Sequence, residues 1–414
     1  MSTTQAGQSI DRRELIVVAN LKAQRGPRGG LVLTQKFLNG VAEYARWWPG
    51  TVTTLVDLND TPTSDMDHVE VLPGSLPFEL AVRPDDEAEL ARRLGQAAVV
   101  LAFLSPREAP LALLCQRLGV PLVYLSEYSL KTEGEIIESQ TRNPLKRWRR
   151  KLWAAGAEKQ RLAALRLAAG IQCSGTPTFD VYRHVNANAL LFFDSRVRAA
   201  DVIDDAGIAT KAAALTQVRP LRLVFGGRLI AMKGVQHLPR VARELVRLGV
   251  PFTLEIYGSG VLERQLAKDI ERYGLEGKVE LKGVLDFESG WVPLLKERVD
   301  LFVCCHPQGD PSSTYPEVMA CGVPIVGYDN DAFNGIVKYS GAGWPTPLNQ
   351  PEQLAAVIAR LDQDRQRIAS ASATAREFAI AHCFERTFTA RVEHLIAASR
   401  LPPEVKTGGV RAAQ

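Results

Sequence analysis

Four loops of this 414-residue sequence hold residue types suited to binding an anion or a sugar. In GGRLIAMKG, Arg228 and Lys233 lie among Gly226, Gly227 and Gly234. A guanidinium forks two oxygens, an ammonium adds a point charge, and glycine lets the backbone come close, a set suited to a diphosphate. Two solvated surface cations are the alternative. YGSG (257–260) supplies Gly258 and Gly260 ahead of a helix expected from about Val261. Such a turn can offer backbone N–H groups and the positive helix end to an anion, or be a plain tight turn. A complete GxGxxG is absent, because Glu263 takes the last position, which argues against a dinucleotide site. In CHPQGDPSSTYPEVMACGVPIV (305–326), Glu317 falls in the first turn of a short helix ended by Gly322. Thr314-x-x-Glu317 fits a capping box; the other reading makes Glu317 a bidentate acceptor for two sugar hydroxyls. Finally, RGPRGGLVLTQKF (25–37) places Gly29 and Gly30 directly after the first strand, at the start of the first helix, where a phosphate-bearing ligand or an acceptor could lie against the backbone.

Other chemistries lack their residues. The six histidines are scattered and none pairs with cysteine at metal-ligand spacing. No nucleophilic triad is recognisable. Asp329 and Asp331 form a DxD-like pair, but loop aspartates after a strand are common, so no metal site is expected.

These loops need a scaffold, and the apolar pattern supplies one. In the first half, 14–20, 51–56, 97–103, 120–126, 170–174 and 189–193 read as strands, several of them apolar almost throughout, with helices at 86–95 and 110–118. In the second half, 221–227, 252–258, 278–283, 300–305 and 323–328 are strands. A helix there sets Leu238, Val241, Leu245 and Leu248 on one face before Gly249, and another spans 262–274. Alternating units of this kind predict an α/β protein with parallel sheets covered by helices. Some twelve strands exceed one sheet, so two Rossmann-like doubly wound domains are expected, 14–200 and 201–383, facing a central cleft. The boundary falls near 196–219. A last helix, 384–400, carries Phe384, Phe388, Val392 and Leu395 on one face and is expected to pack back on the first domain. Residues 1–13 and 401–414 read as disordered.

Composition agrees with an ordinary globular chain: 46% hydrophobic and 23% charged residues, with a net charge of +4. No apolar run reaches the ~20 residues of a membrane span. The polar N-terminus lacks a signal-peptide core, and six cysteines without a CxxC point to a reduced, cytoplasmic setting. Charge is concentrated in one segment. Residues 142–166 hold nine Lys/Arg against one Glu, with Trp148 and Trp153 among them. Lys146, Arg147, Arg149, Arg150 and Lys151 beside two tryptophans are what a helix lying on anionic lipid shows, and a solvated basic helix is the alternative.

Taken together, GGRLIAMKG, YGSGVLERQL and YPEVMACGVPIV resemble, in order, the GRL-x-x-x-KG, G-x-G-x-x-x-x-L and E-A-M-A-C-G-x-P-V-V motifs of the retaining GT-B glycosyltransferases of family 4, glycosyltransferase group 1. The match runs through 221–361; the first half matches only in outline. The resemblance implies a GT-B fold. It also implies a hexosyltransferase that moves a sugar from a UDP- or GDP-linked donor to a hydroxyl of a saccharide or lipid-linked saccharide, with retention, in polysaccharide or glycolipid assembly. Arg228 and Lys233 would act on the donor diphosphate and Glu317 on the ribose. Gly29, Gly30, Gly227, Gly258, Gly260, Gly283, Val284, Asp310, Ser313, Tyr315 and Val318 would complete the donor site, with Val284 near the base. No metal or other cofactor is implied. Two departures stand out. The family's first Glu of a Glu-x7-Glu motif is Gly309 here, with Asp310 one residue late, and Asn334 and Gly335 stand where the family often has a glycine pair and a Glu.

Glu127, after the strand 120–126, is an acceptor-binding candidate by position. The basic helix and a lipid-linked acceptor together suggest peripheral association with the inner face of the cell membrane. No nucleic acid partner is expected. A small soluble acceptor such as a sugar phosphate, bound by cations within 1–195, is the alternative; a catalytically silent nucleotide-sugar-binding protein is another.

Overall fold

The computed structural model describes residues 13–59 and 68–401. Apart from Arg13 and Leu401, the segments expected to be disordered lie outside the described residues; Leu401 itself is buried. Nine strands form the first sheet: β1 (Glu14–Arg25), β2 (Leu31–Thr34), β3 (Val52–Leu58), β4 (His68–Val71), β5 (Glu79–Val82), β6 (Ala97–Phe103), β7 (Leu122–Ser126), β8 (Gly170–Ser174) and β9 (Ala189–Phe192). The order β5-β3-β1-β6-β7-β8-β9 is parallel throughout, while β2 pairs antiparallel with Gln24 and Arg25 at the end of β1, and β4 pairs antiparallel with β2. Side chains of β1 alternate between two cores. Leu15, Val17 and Ala19 enter one; Ile16 and Val18 enter the other. That two-sided burial explains the unbroken apolar run of the sequence.

The second sheet holds β10 (Leu221–Gly226), β11 (Phe252–Tyr257), β12 (Val279–Gly283), β13 (Leu301–Cys304), β14 (Ile325–Tyr328) and β15 (Gly343–Thr346) in the order β12-β11-β10-β13-β14-β15. All pairs are parallel. The order reverses between β10 and β13, the switch point where an open α/β sheet leaves a crevice at its carboxyl edge. Helix Leu238–Arg247 buries Leu238, Val241 and Leu245 as expected, whereas Leu248 caps it and is exposed. Lys211, on helix Asp205–Leu215, donates to Leu295 O and Val299 O at 2.7 and 2.6 Å, tying that helix to the end of helix Val292–Arg298. Helix Phe384–Ala398 returns to the first sheet. Its Phe384, Phe388, Val392 and Leu395 join the core that holds Leu15 and Val17.

The two halves meet through named polar contacts. Lys131 pairs with Asp331 at 2.7 Å, Thr176 Oγ1 donates to Asp331 O at 3.1 Å, and Gly309 N donates to Glu135 Oε2 at 2.9 Å. Glycine permits part of this approach: a Cβ at Gly335 would stand 1.7 Å from Thr176 Oγ1.

Candidate active site

A cavity of about 390 Å³ opens at the carboxyl ends of β10 and β11, lined by Gly226, Gly227, Arg228, Ser259, Val284 and Glu317, among others. Its floor depends on backbones packed too closely for side chains. A Cβ at Gly258 would lie 1.9 Å from Gly227 O, and Gly258 has φ +124°. Gly258 N donates to Gly283 O at 2.7 Å, and Leu229 N to Ser259 O at 2.8 Å. The Gly258 N–H is therefore spent on holding loops together, and the glycines of YGSG serve close packing. Helix Glu263–Arg272 starts two residues later than the expected Val261. Gly260 packs its backbone on Leu229 and Gly283 on Gly258; neither lines the cavity, whereas the following Val284 does and is exposed. Trp291 closes one wall, edge-on to Tyr257 at 5.7 Å and in the space a side chain at Gly226 would need.

Arg228 is exposed in this cavity and forms no ion pair among the described residues. Lys233 behaves differently. It is buried, with Nζ 2.5 Å from Asp310 Oδ2. Gly234 makes that placement possible: at φ +64° it sits where a Cβ would be 1.8 Å from Cys305 O, so the turn carrying Lys233 can press on the strand end bearing Asp310's loop. Gln308, fully buried, braces this loop by accepting from Asp310 N at 2.5 Å and donating to Met232 O at 2.9 Å. Glu317 is also paired, accepting from Arg196 Nε at 2.8 Å, and the guanidinium of Arg196 lies 3.9 Å over the ring of Phe287. The carboxylate thus caps nothing in its own helix, Thr314–Ala320, whose N-cap is Ser313 without a side-chain bond. Arg196, Phe287 and Trp291 were not singled out by the sequence, since each is an isolated residue without a spacing signal.

Three expectations are corrected. Gly29 and Gly30 do not open the first helix. β1 runs on to Arg25, the glycines turn it into β2, and Gly30 N donates to Glu70 Oε1 at 3.1 Å, so neither lines the cavity. Helix Gln35–Trp47 is capped instead by Thr34, which accepts from Phe37 N. Tyr315 and Val318 have core side chains: Tyr315 Oη bonds His306 Nδ1 at 3.0 Å, and Val318 is fully buried. Asp310 does not project freely towards a sugar, because Lys233 holds it. Burial first, then the Lys233 charge, keeps the His306 imidazole well below its ordinary value.

At Gly309, where the family has its first Glu, a Cβ would be 3.2 Å from Thr132 Oγ1 and 3.4 Å from Asp331 Cβ, both held at the contact between the halves. The carboxylate beside this position belongs to Glu135. Asp329 and Asp331 are engaged by Asn334 and Lys131.

A second cavity, of about 370 Å³, lies at the carboxyl ends of β1, β6 and β7. Phe37, Tyr44, Phe103 and Leu125 give it largely apolar walls, and Lys36, Glu127, Asp194 and Arg391 bring charge. Lys36 donates to Asp194 at 2.9 Å. Burial opposes both charges, and the pairing prevails: the ammonium is held above its ordinary range and the carboxyl below. Glu127 has no ion pair among the described residues. The low-polarity walls push its carboxyl up, Asp194 and Asp310 add to this, and Lys36 and Arg391 oppose it. Glu317, which lines the first cavity, acts on Lys36, which lines the second, so the two cavities are neighbours.

The basic segment forms the first half of helix Pro144–Leu167, capped by Asn143 and begun with Pro144. Leu145, Trp148, Leu152 and Trp153 are 64%, 60%, 53% and 69% exposed, an apolar row that no described residue covers. Lys146 and Arg149 are exposed. Arg147 and Arg150 donate to Thr141, and Lys151 pairs with Glu138. The second half of the helix is anchored by the buried Arg161 between Glu133 and Glu158.

Comparison with known proteins places this arrangement. Residues 210–378 match the family described as Glycosyl transferases group 1. The putative colanic acid biosynthesis glycosyltransferase WcaL of Salmonella typhimurium is 30% identical over 165 residues, which is 38% of this chain and 40% of that protein. The alpha-D-kanosaminyltransferase of Streptomyces kanamyceticus is 25% identical over 272 residues, 63% of this chain and 67% of the relative. The matched segment therefore spans about two fifths of the length of WcaL. Among solved structures, HepE of Anabaena in complex with UDP superposes with a TM-score of 0.62 at 15% identity, covering 93% of this chain and all of HepE. The chain thus carries a glycosyl transferases group 1 domain over residues 210–378, within a GT-B fold.

Proposed function

We propose that the protein is a retaining glycosyltransferase that moves a sugar from a nucleoside-diphosphate donor to a hydroxyl of a saccharide or lipid-linked saccharide in polysaccharide assembly. The observation that carries this reading is the exposed Arg228, without an ion pair among the described residues, in a glycine-floored cavity at the strand-order switch of the second sheet. In it, Arg228 takes the donor diphosphate and stabilises the charge that grows as the glycosidic bond to phosphate breaks; one such preorganised donor contributes ~3–4 kcal/mol. Lys233, released in part from Asp310, adds a second charge, so two side-chain cations do what a metal ion would do. Glu317 meets the ribose hydroxyls, and Val284 with Trp291 forms the wall for the base. HepE has been crystallised with UDP and with UDP-glucose, which supports a uridine donor. The acceptor enters from the cavity beside Glu127. Leaving phosphate, not a protein base, removes the acceptor proton.

The exposed Leu145, Trp148, Leu152 and Trp153 with Lys146 and Arg149 support docking on anionic lipid, at the inner face of the cell membrane, where each nearby cation contributes ~1 kcal/mol. No helix among the described residues is long and apolar enough to cross a membrane.

Titrating UDP against the full chain while following its melting transition tests the donor site. At ~100 times the dissociation constant the expected stabilisation is ~2.7 kcal/mol, and Arg228→Ala is expected to abolish most of it. An unchanged transition in wild-type protein with UDP, GDP and their sugars would overturn the reading.

A further inference from the structure

The second cavity contains a buried cation that forms no ion pair among the described residues. Arg391 is buried on the returning helix Phe384–Ala398 and lines the cavity. It is caged by rings: its guanidinium carbon lies 4.3 Å from the centroid of Phe192, 5.0 Å from Phe388 and 5.2 Å from Tyr44. Nε donates to the neutral Gln172 Oε1 at 2.9 Å, and Gln172 Nε2 returns a bond to Arg391 O at 2.8 Å. These bonds fix the orientation without neutralising the charge. Arg391 forms no ion pair among the described residues. Buried guanidinium groups are costly unless paired, and elsewhere in this chain they are: Arg161 with Glu133 and Glu158 is an example. Beside Arg391, Tyr44 Oη is buried without a hydrogen bond of full geometry and close enough for the guanidinium to act on it, so the two present one polar corner at the same wall. The nearby carboxylates feel this charge without pairing to it: Asp194 is bonded to Lys36, and Glu127, on which Asp194 and Asp310 also act, is pushed towards its neutral form by the low-polarity walls.

We infer that this cavity takes an acceptor bearing a phosphate or carboxylate group, which sits on Arg391 and Tyr44, while an acceptor hydroxyl meets Glu127 on the donor side. The fork of Arg391 matches two oxygens of such a group, and the apolar walls strengthen the attraction by excluding water. This inference rests on the glycosyltransferase reading for the name "acceptor", but not for the anion itself. The same chemistry would come from a soluble sugar phosphate or from the phosphate of a lipid-linked saccharide.

The test uses the full chain, wild type, Arg391→Lys, Arg391→Met and Tyr44→Phe, with two sets of probes. Calorimetric titration compares α-D-glucose 1-phosphate with D-glucose. Sedimentation compares phosphatidylcholine vesicles with and without undecaprenyl phosphate. The expected result is binding of glucose 1-phosphate but not glucose, weakened about tenfold or more by Arg391→Met, less by Arg391→Lys, and severalfold by Tyr44→Phe. If the lipid is the source, the undecaprenyl phosphate increment shows that ranking instead. Either pattern supports the inference. Equal binding of glucose and its phosphate, or wild-type behaviour of Arg391→Lys and Tyr44→Phe towards every probe, overturns it. UDP stabilisation is measured alongside on each variant. It reports on the Arg228 cavity, so a loss of donor binding and a loss of anion binding are read separately, and it shows that Arg391→Met is folded.

Discussion

The two neighbouring cavities handle charge in opposite ways. At the second sheet, most charges come already matched: Lys233 with Asp310, Glu317 with Arg196, leaving Arg228 exposed. At the first sheet, Lys36 and Asp194 are matched, whereas the buried Arg391 and the cavity-facing Glu127 form no ion pair among the described residues. A matched pair holds a loop in place before any ligand arrives, whereas an unmatched charge in an apolar wall waits for one. The first arrangement stabilises the fold; the second trades stability for recognition.

Lys233→Ala should break that contrast most severely. It leaves Asp310 buried without its partner, and a loss of about 3–5 kcal/mol in urea unfolding is expected, with part of it recovered in Lys233→Ala/Asp310→Asn. Recovery failing to appear would mean the pair is not what holds the loop. Arg228→Ala should leave stability unchanged and lower sugar transfer by ~100- to 1000-fold, read in a donor-turnover assay. By contrast, Glu127→Gln should leave the protein as stable as wild type or more so, since its ionised form is disfavoured where it stands; a clear loss in melting temperature would show a hidden partner.

Acidity sharpens the comparison further. His306 lies buried beside Tyr315, and burial also holds His237, His382 and His394 below the ordinary 6.5. The unfolded chain therefore binds more protons than the folded one below that value, so stability falls as pH drops through it. The slope is up to about 1.4 kcal/mol per pH unit for each histidine, and His306→Gln should flatten it, as measured by urea unfolding at several pH values. The smallest effect on the fold is expected at the basic helix: Lys146→Gln and Arg149→Gln should change stability by less than about 0.5 kcal/mol. Each should weaken sedimentation with anionic vesicles by ~1 kcal/mol.

The same contrast governs what the sequence discloses. The cavity at the second sheet is built from short loops in which glycines let backbones touch, as at Gly234 against Cys305, and such contacts leave a local spacing. The second cavity draws Lys36, Asp194 and Arg391 from three distant segments, and the bond between Gln172 and Arg391 joins residues 219 apart, which no local pattern records. Strands follow this division too. The apolar runs of β1, β6, β13 and β14 were legible because both sheet faces are buried. β2 and β4 are short half-buried strands with polar neighbours, and β15 (GWPT) carries Gly and Pro, so neither pattern nor propensity marks them. Arg196 lay hidden in what read as a linker, and its role emerges only through Glu317, 121 residues further on.

Helix Phe384–Ala398 has a consequence for biosynthesis. The first sheet ends at Phe192, yet its core stays open until Phe384, Phe388 and Leu395 arrive. At ~5–20 residues per second of synthesis, the intervening segment keeps that apolar face waiting for roughly 10–40 s. A nascent chain of this design needs a chaperone or the ribosome surface to shield that face, and a premature stop near residue 380 would release an exposed hydrophobic core along with a complete second sheet.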